Sequence, residues 1–409
     1  MKMKVLVLGL GVSGSAAARF LMSQGFEVEG VDKHCSHSFP FPVYSEEESI
    51  DLERFDRIIA SPGVPRSHQL YRSAKEKGIE VIGETELGLR SVKNPLIAIT
   101  GTNGKTTVTE LVAKGLNDGG VKAVAAGNHG LPLTECLRRE ESSSTVIVLE
   151  CSSFQLETMT TRCIDAAAIL NITPDHLDRY SNFEEYAAAK LSIQNILKKG
   201  APLLIGNSIA ERFGSLLSHT PLSTLCEKGT HDETNADFAW HLCRRYGISK
   251  NSFEITFSHF QKPKHRLEYV GTINGVDYYN DSKGTNVDAV VKAVQAMKKP
   301  VYLIAGGKDK GGGFDAWADL FGKKVRGVLA YGEAKEALAK ALSLYFPVMP
   351  FDELENAVRH AAKLARPGET VLLSPGCSSL DSYRNYAERG EHFKLIVNDL
   401  YQNVKGLTN

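Results

Sequence analysis

The sequence predicts an α/β fold with parallel sheets and crossover helices, spread over two or three domains. Short β-branched or aliphatic runs recur at residues 4–8, 57–60, 96–100, 146–150, 167–171, 301–305, 325–331 and 370–373. Each leads through Gly, Ser or Thr into an amphipathic stretch. Strand alternating with helix is the pattern of parallel sheets. A chain of 409 residues also exceeds one ordinary core. Two breaks divide it, at Lys93-Asn94-Pro95 and at Lys262-Pro263-Lys264-His265-Arg266.

The elements can be justified in order. The run at 4–8 feeds a glycine-rich turn and a helix, and the run at 96–100 feeds a second such turn and a helix over 108–116. A further helix covers 187–197. Residues 269–273, Asn274-Gly275 and residues 276–279 spell a hairpin about a type I′ turn. In parallel sheets ligands collect beyond the carboxyl ends of strands, so residues following each run are the candidates for chemistry.

Composition excludes several classes. Lys+Arg and Asp+Glu both total 48, so no basic excess exists to neutralise nucleic-acid phosphates. Cys35, Cys136, Cys151, Cys163, Cys226, Cys243 and Cys377 are scattered and form no C-x-x-C pair. That pattern suggests buried thiols in a reducing compartment. Lys2 and Lys4 before an apolar run imitate a secretion signal, but the run is short and broken by glycine. No stretch approaches the ~18 apolar residues that span a bilayer. A cytoplasmic protein without membrane insertion is expected.

Gly9-Leu10-Gly11-Val12-Ser13-Gly14 follows a strand and opens a helix, and Asp32 ends the next strand. Such a turn suits a pyrophosphate-sized anion over a helix N-terminus, with an acidic residue for a ribose hydroxyl. Nicotinamide cofactors, other nucleotides and purely structural glycines all remain open on this motif. Ser61-Pro62-Gly63 offers further backbone donors to the same pocket.

Thr100-Gly101-Thr102-Asn103-Gly104-Lys105-Thr106-Thr107 is more specific. Backbone amides cradle phosphates, Lys105 supplies charge and the Thr106 hydroxyl reaches Mg²⁺. The usual spacing calls for glycine where Ile99 stands, so this is a variant P-loop. Glu150 closes a wholly apolar strand, an odd place for a carboxylate unless a cation meets it. Asp175 and His176 follow another strand. Hard oxygen ligands beside a P-loop are what Mg²⁺ takes.

Together the residues 100–107, Glu150-Cys151-Ser152-Ser153-Phe154-Gln155-Leu156, the segment 171–179, Lys190, His265-Arg266 and the segment 280–286 resemble the Mur ligase family in content and order. The resemblance spans essentially the whole chain. Folylpolyglutamate synthases share the central and C-terminal framework and are the nearest alternative. Within the family, Leu373-Ser374-Pro375-Gly376-Cys377-Ser378-Ser379-Leu380-Asp381 is similar to the pattern of members that add D-glutamate to UDP-N-acetylmuramoyl-L-alanine. The Asp-Asn-Pro-Arg motif of the diaminopimelate-adding members is absent. His129 stands where the family pattern carries an aliphatic residue.

The resemblance implies a Rossmann-like UDP-binding domain over 1–92, a P-loop-type mononucleotide-binding domain over 93–262 and a Rossmann-like C-terminal domain over 263–409. It implies ATP, two Mg²⁺ sites and an acyl-phosphate intermediate in peptidoglycan precursor synthesis, by a monomer. Lys105 would hold the β/γ-phosphates within a loop formed by Gly101, Thr102, Asn103, Gly104, Thr106 and Thr107. Thr106 and Glu150 would serve one Mg²⁺ and His176 the other. Lys190 matches a lysine that becomes carbamylated in the family; by residue type alone it reads as a surface lysine. Asn235, Arg266, Asp281 and Lys283 would contact ATP. Val12, Ser13, Asp32, Ser61 and Gly63 would surround the uridine and pyrophosphate, and Asn128, Ser152 and Gln155 the muramoyl–alanyl part. Thr285, Lys310, Ser379, Leu380 and Tyr386 would receive D-glutamate. Ligands drawn from three segments imply closure of the third domain on the nucleotide.

Three rivals remain from other classes. An NAD(P)-dependent oxidoreductase leaves the P-loop idle, a switch or motor ATPase leaves the first glycine turn idle, and a non-catalytic UDP-sugar sensor needs only the first domain.

Overall fold

A computed structural model describes residues 2–33, 38–139, 142–218, 221–227, 229–311 and 313–406. Cys35 lies outside them. The described strands form three sheets. The first runs Val43–Ser45, Glu27–Asp32, Lys4–Leu8, Arg57–Ala60, Glu80–Gly83, all parallel. The second runs Leu222–Leu225, Leu203–Gly206, Ala166–Ile169, Leu96–Thr100, Val146–Glu150, Ala123–Gly127, again all parallel. The third runs Glu268–Ile273, Val276–Asn280, Thr370–Gly376, Val301–Gly306, Val325–Tyr331, Val348–Phe351, parallel except for its first pair. The expected α/β architecture of parallel sheets is therefore present.

Central strands of these sheets are apolar without alternation because helices cover both faces. Ile97, Ala98, Ile99, Ile147, Val148 and Leu149 are all fully buried. Helix Lys105–Asp118 lays Val108, Leu111, Val112 and Leu116 into the same core as Phe238, Leu242 and Phe253. Each such side chain contributes about 1.5–3 kcal/mol by leaving water. The antiparallel edge behaves differently. Asn274 and Gly275 both take positive φ, as a type I′ turn requires, and the Glu268–Ile273 strand keeps one face wet.

Two compact units partition the chain. One comprises Met1–Ile172 and Ala187–Phe260, the other Thr173–Tyr186 and Gln261–Asn409. In the first unit, helix Glu84–Leu89 joins the first two sheets. Glu84 is fully buried and accepts from the Thr134 amide at 2.7 Å and its hydroxyl at 2.6 Å. Burial pushes its carboxyl pKa up, against those bonds. Glu86 accepts from Thr160 and Thr161.

Several elements differ from expectation. The strand read at 167–171 stops at Ile169, because Asn171 turns aside to brace the P-loop. The helix read at 108–116 begins at Lys105, directly after the left-handed Gly104. The helix read at 187–197 begins at Phe183 and tightens into a 3₁₀ turn at Ser192–Ile196. The break at 262–266 is not a loose linker throughout: His265 is buried and its carbonyl accepts the Lys283 amide. The thiols are not all buried, since Cys226 is exposed and Cys163 half-buried. Among the described residues no helix is long and apolar enough to cross a membrane.

Candidate active site

At the carboxyl ends of the first sheet, Gly9 turns the chain with φ +81°. Gly14 lies so close that a Cβ there would sit 1.8 Å from the Gly9 carbonyl oxygen. Asp32 accepts the Leu10 amide through Oδ2 at 2.5 Å, and the Ser61 hydroxyl donates to the Gly9 carbonyl at 2.6 Å. Both side chains thus shape the turn. The expected backbone donor at Ser61 is a correction: its amide pairs with the Leu8 carbonyl inside the sheet. Val12 and Gly63 are exposed, and Val12 with Ser13 opens helix Val12–Ser23.

The second glycine turn is braced from within the first unit. Thr102 donates its amide to the Asn171 carbonyl, and the Asn171 side chain both accepts from the Asn103 amide and donates to the Asn103 carbonyl. Asn171 stood inside a recognised motif without an assigned role; only its carbonyl-end position pointed to it. Gly104 adopts φ +87°, and a Cβ there would meet Asn235 Oδ1 at 2.5 Å. Asn235, buried in helix His231–Cys243, is therefore brought against the loop. Thr106 and Thr107 are buried in the first turn of helix Lys105–Asp118.

Lys105 Nζ donates to the carbonyls of Gly101 and Thr102, each at 2.9 Å. Lys190 Nζ donates to the same Gly101 carbonyl at 2.7 Å. Lys190 is only 2% exposed, so it is no surface lysine. Two ammonium groups gathered at one oxygen make a pocket that favours anions.

Carboxylate chemistry sits alongside. Strand register pairs Ile99 with Glu150, which places the buried Glu150 beside the root of the P-loop. Asn128 donates Nδ2 to Glu150 Oε1 at 2.7 Å, and Gly127 permits this approach, since a Cβ there would lie 2.4 Å from the Glu150 carbonyl. The adjacent His129 pairs with Glu110 at 2.6 Å. Ser152 and Gln155 use polar groups on each other in a capping box, and Gln155 Nε2 continues to Thr85 at 3.0 Å.

In the second unit, Asp175 is a hub. Its Oδ1 accepts from Lys310 at 2.6 Å and its Oδ2 from Asn286 at 3.1 Å. Burial raises its pKa, but Lys310, His176 and Asn286 outweigh that and hold the carboxyl below its ordinary value. Lys310 therefore reaches a carboxylate of the chain itself. His176 carries φ 56°, an uncommon state for a non-glycine residue. Strain of this kind concentrates at functional sites.

Arg266, Asp281 and Lys283 also meet. His265 and Leu267, on either side of Arg266, both take positive φ. The His265 carbonyl accepts the Lys283 amide and the Leu267 amide donates to Asp281 at 3.2 Å. Asp281 also accepts from Ser374 at 2.8 Å, yet burial raises its pKa to about 6. Lys283 lies over the Tyr386 ring at 5.2 Å. Thr285 donates its amide to the Lys283 carbonyl, Ser379 is buried, and Leu380 is 66% exposed.

The chain matches three family descriptions in series: Mur ligase MurD-like, N-terminal domain over residues 3–83; Mur ligase middle domain over 99–276; and Mur ligase, glutamate ligase domain over 265–377. It is 42% identical to the UDP-N-acetylmuramoylalanine--D-glutamate ligase of Protochlamydia amoebophila, covering 96% of this chain and 97% of that protein. It is 38% identical to the ligase of the same name from Caldicellulosiruptor bescii, covering 97% of both. Among solved structures, the UDP-N-acetylmuramate-alanine ligase of Thermotoga maritima superposes with a TM-score of 0.61 at 17% identity, covering 95% of this chain and 99% of that one. The MurF ligase of the same organism, solved with ADP, gives 0.59 at 14% identity, over 97% and 96%. These two share the fold; the near-full-length sequence identity goes further, and the chain belongs to the Mur ligase family.

Proposed function

We propose that this chain is an ATP-dependent acid–amino-acid ligase that joins D-glutamate to UDP-N-acetylmuramoyl-L-alanine during peptidoglycan precursor synthesis. The observation that carries the reading is the convergence of Lys105 and Lys190 on the Gly101 carbonyl, beside Glu150. The names of the relatives select the amino acid.

Residues 1–92 would hold UDP through Val12, Ser13, Asp32, Ser61 and Gly63, with Asn128, Ser152 and Gln155 toward the acceptor. Residues 93–262 would hold ATP on Gly101–Thr107 and Asn235. Residues 263–409 would supply Arg266, Asp281 and Lys283 to ATP, and Thr285, Lys310, Ser379, Leu380 and Tyr386 to D-glutamate. The acceptor carboxylate attacks the γ-phosphorus, ADP leaves, and an acyl phosphate forms. The D-glutamate amine attacks that carbonyl and loses a proton, and the tetrahedral intermediate expels phosphate. Lys105 neutralises the phosphoryl oxygens as they crowd. Closure of the chain on its substrates would keep water from the acyl phosphate.

Mg²⁺ suits the first set of donors. Glu150 is a buried carboxylate beside the loop that carries the Thr106 hydroxyl. No trio of His, Cys, Asp or Glu converges among the described residues, and Mg²⁺ needs only one or two protein oxygens because phosphates and waters complete its shell. When bound it would neutralise charge on the phosphates. A second ion would use His176 and the oxygens of a carbamylated Lys190, because a bare ammonium repels a cation. The enzyme would act as a cytoplasmic monomer.

The test is phosphate release from Mg-ATP with UDP-N-acetylmuramoyl-L-alanine, bicarbonate and single amino acids. Release that needs both the nucleotide sugar and D-glutamate is expected. Release with another amino acid overturns the D-glutamate assignment, and none with any amino acid overturns the ligase.

A further inference from the structure

Arg389 is a fully buried guanidinium in the first turn of helix Tyr386–Gly406. Its Nε donates to the Ser282 hydroxyl at 3.0 Å and one terminal nitrogen to the Ser282 carbonyl at 2.8 Å. Both terminal nitrogens reach the Cys377 carbonyl at 3.2 Å. Every acceptor is neutral, and no carboxylate among the described residues lies within ion-pair distance of it. Burying a cation without a counter-charge is costly. The positive end of a helix makes it worse. A polar side chain placed so unfavourably needs a reason beyond packing.

Its contacts supply one. The guanidinium ties the Asp281–Thr285 loop to the Cys377–Leu380 loop, and these carry Lys283, Thr285, Ser379 and Leu380. Gly307 makes room for the tie, since a Cβ there would stand 3.1 Å from the guanidinium and 2.3 Å from the Ser378 carbonyl. The two loops also close on a third: Lys308 and Ser378 exchange amide–carbonyl bonds at 2.9 Å, two residues from Lys310.

We propose that Arg389 is a positioning residue of the amino-acid subsite, holding the two loops in register and supplying positive potential that favours an incoming dicarboxylate. This rests on the ligase reading above. The amino acid brings two carboxylates, and the excess buried charge is released from its penalty when they arrive. Charge and geometry are separable, because lysine keeps the first and loses the fork that spans two carbonyls.

The experiment uses the full-length chain and two readouts. In the first, KM for D-glutamate is measured in the parent, Arg389→Lys and Arg389→Met, beside KM for ATP. In the second, hydroxylamine replaces D-glutamate and traps the acyl phosphate as a hydroxamate. Arg389→Met is expected to raise KM for D-glutamate by roughly 10- to 100-fold, the range for losing a charged hydrogen-bonding group. Arg389→Lys should fall between it and the parent. Hydroxamate formation and KM for ATP should change by less than about 3-fold, well under one decade. An unchanged D-glutamate KM in either folded variant overturns the proposal, as does an equal loss of hydroxamate formation. Should Arg389→Met fail to fold, Arg389→Lys alone decides. A parent enzyme that ignores D-glutamate fails the ligase reading instead, which the parent arm reveals before any variant is made.

Discussion

Asp281→Asn should stabilise the second unit at neutral and alkaline pH while leaving it unchanged in acid. Asp281 is buried with a pKa raised to about 6 by loss of water, against bonds from Ser374 and Leu267 and the charge of Arg266. In the unfolded chain an aspartate titrates near about 3.9. The folded state thus holds the proton more tightly, so stability from this group is full below about pH 4 and falls as pH rises through 6. The linkage penalty is on the order of 1 kcal/mol at pH 5 and on the order of 3 kcal/mol at pH 8. Asparagine escapes it, because its Oδ1 still accepts the Leu267 amide and its Nδ2 can donate to the Ser374 oxygen. The protein holds only two tryptophans, Trp240 and the fully buried Trp317 of the second unit. In a Trp240→Phe background, Trp317 fluorescence therefore reports urea unfolding of that unit alone, which matters because a multidomain chain need not unfold in one step. The gain in Asp281→Asn over its parent should grow by on the order of 1 kcal/mol between pH 5 and pH 8. A gain equal at both values, or a variant less stable than its parent at pH 8, refutes the reasoning. Lost activity in a stabilised variant would show the ionised carboxyl retained for function at the expense of stability.

Asn128→Ala removes the 2.7 Å bond to Glu150. A hydrogen bond to a charged group contributes about 1.5–3 kcal/mol to the folded state, so Tm should fall measurably and kcat/KM should fall with it; an unchanged Tm together with a loss of kcat/KM under about 2-fold would mean Glu150 is held otherwise. Gly104→Ala forces a side chain onto φ +87° and against Asn235. ATP binding, followed by equilibrium dialysis, should weaken by about 10-fold or more, since such strain costs about 1–3 kcal/mol; parent-like affinity would show that the loop relaxes freely. Lys190→Ala should abolish phosphate release and recover part of it with added short-chain carboxylate, which supplies the missing anionic oxygens. Full activity without the additive would remove Lys190 from the mechanism.

What could be read from the sequence divides along a physical line. Parallel strands buried on both faces are continuous apolar runs, so Leu96–Thr100 and Val146–Glu150 were legible to the residue. The loop after the first of these was legible too, because phosphate cradling demands glycines and a lysine at fixed spacing. Element ends were less so. Gly104 starts its helix three residues early because a left-handed glycine lets the turn close at once, and Asn171 ends its strand because its amide serves the loop. Side-chain partners were the least legible. By residue type Lys190 is a surface lysine; its burial follows from a contact 89 residues away. Arg389 lies in an Arg-and-Glu-rich helix start that reads as a solvated face, and its partner Ser282 is 107 residues distant. Asp32, Ser152, Gln155, Asp281 and Lys310 were chosen as ligand contacts, and each also makes a bond within the chain. Asp175, the partner of Lys310, is held below its ordinary carboxylate range by Lys310, His176 and Asn286, so a substrate carboxylate bound at Lys310 as proposed would compete with a built-in one. If Lys310 and Ser379 receive the amino acid as proposed, such competition would sharpen selection: a ligand with one carboxylate would gain less from displacing Asp175, whereas a dicarboxylate would engage Lys310 with one group and leave the other for the Ser379 loop.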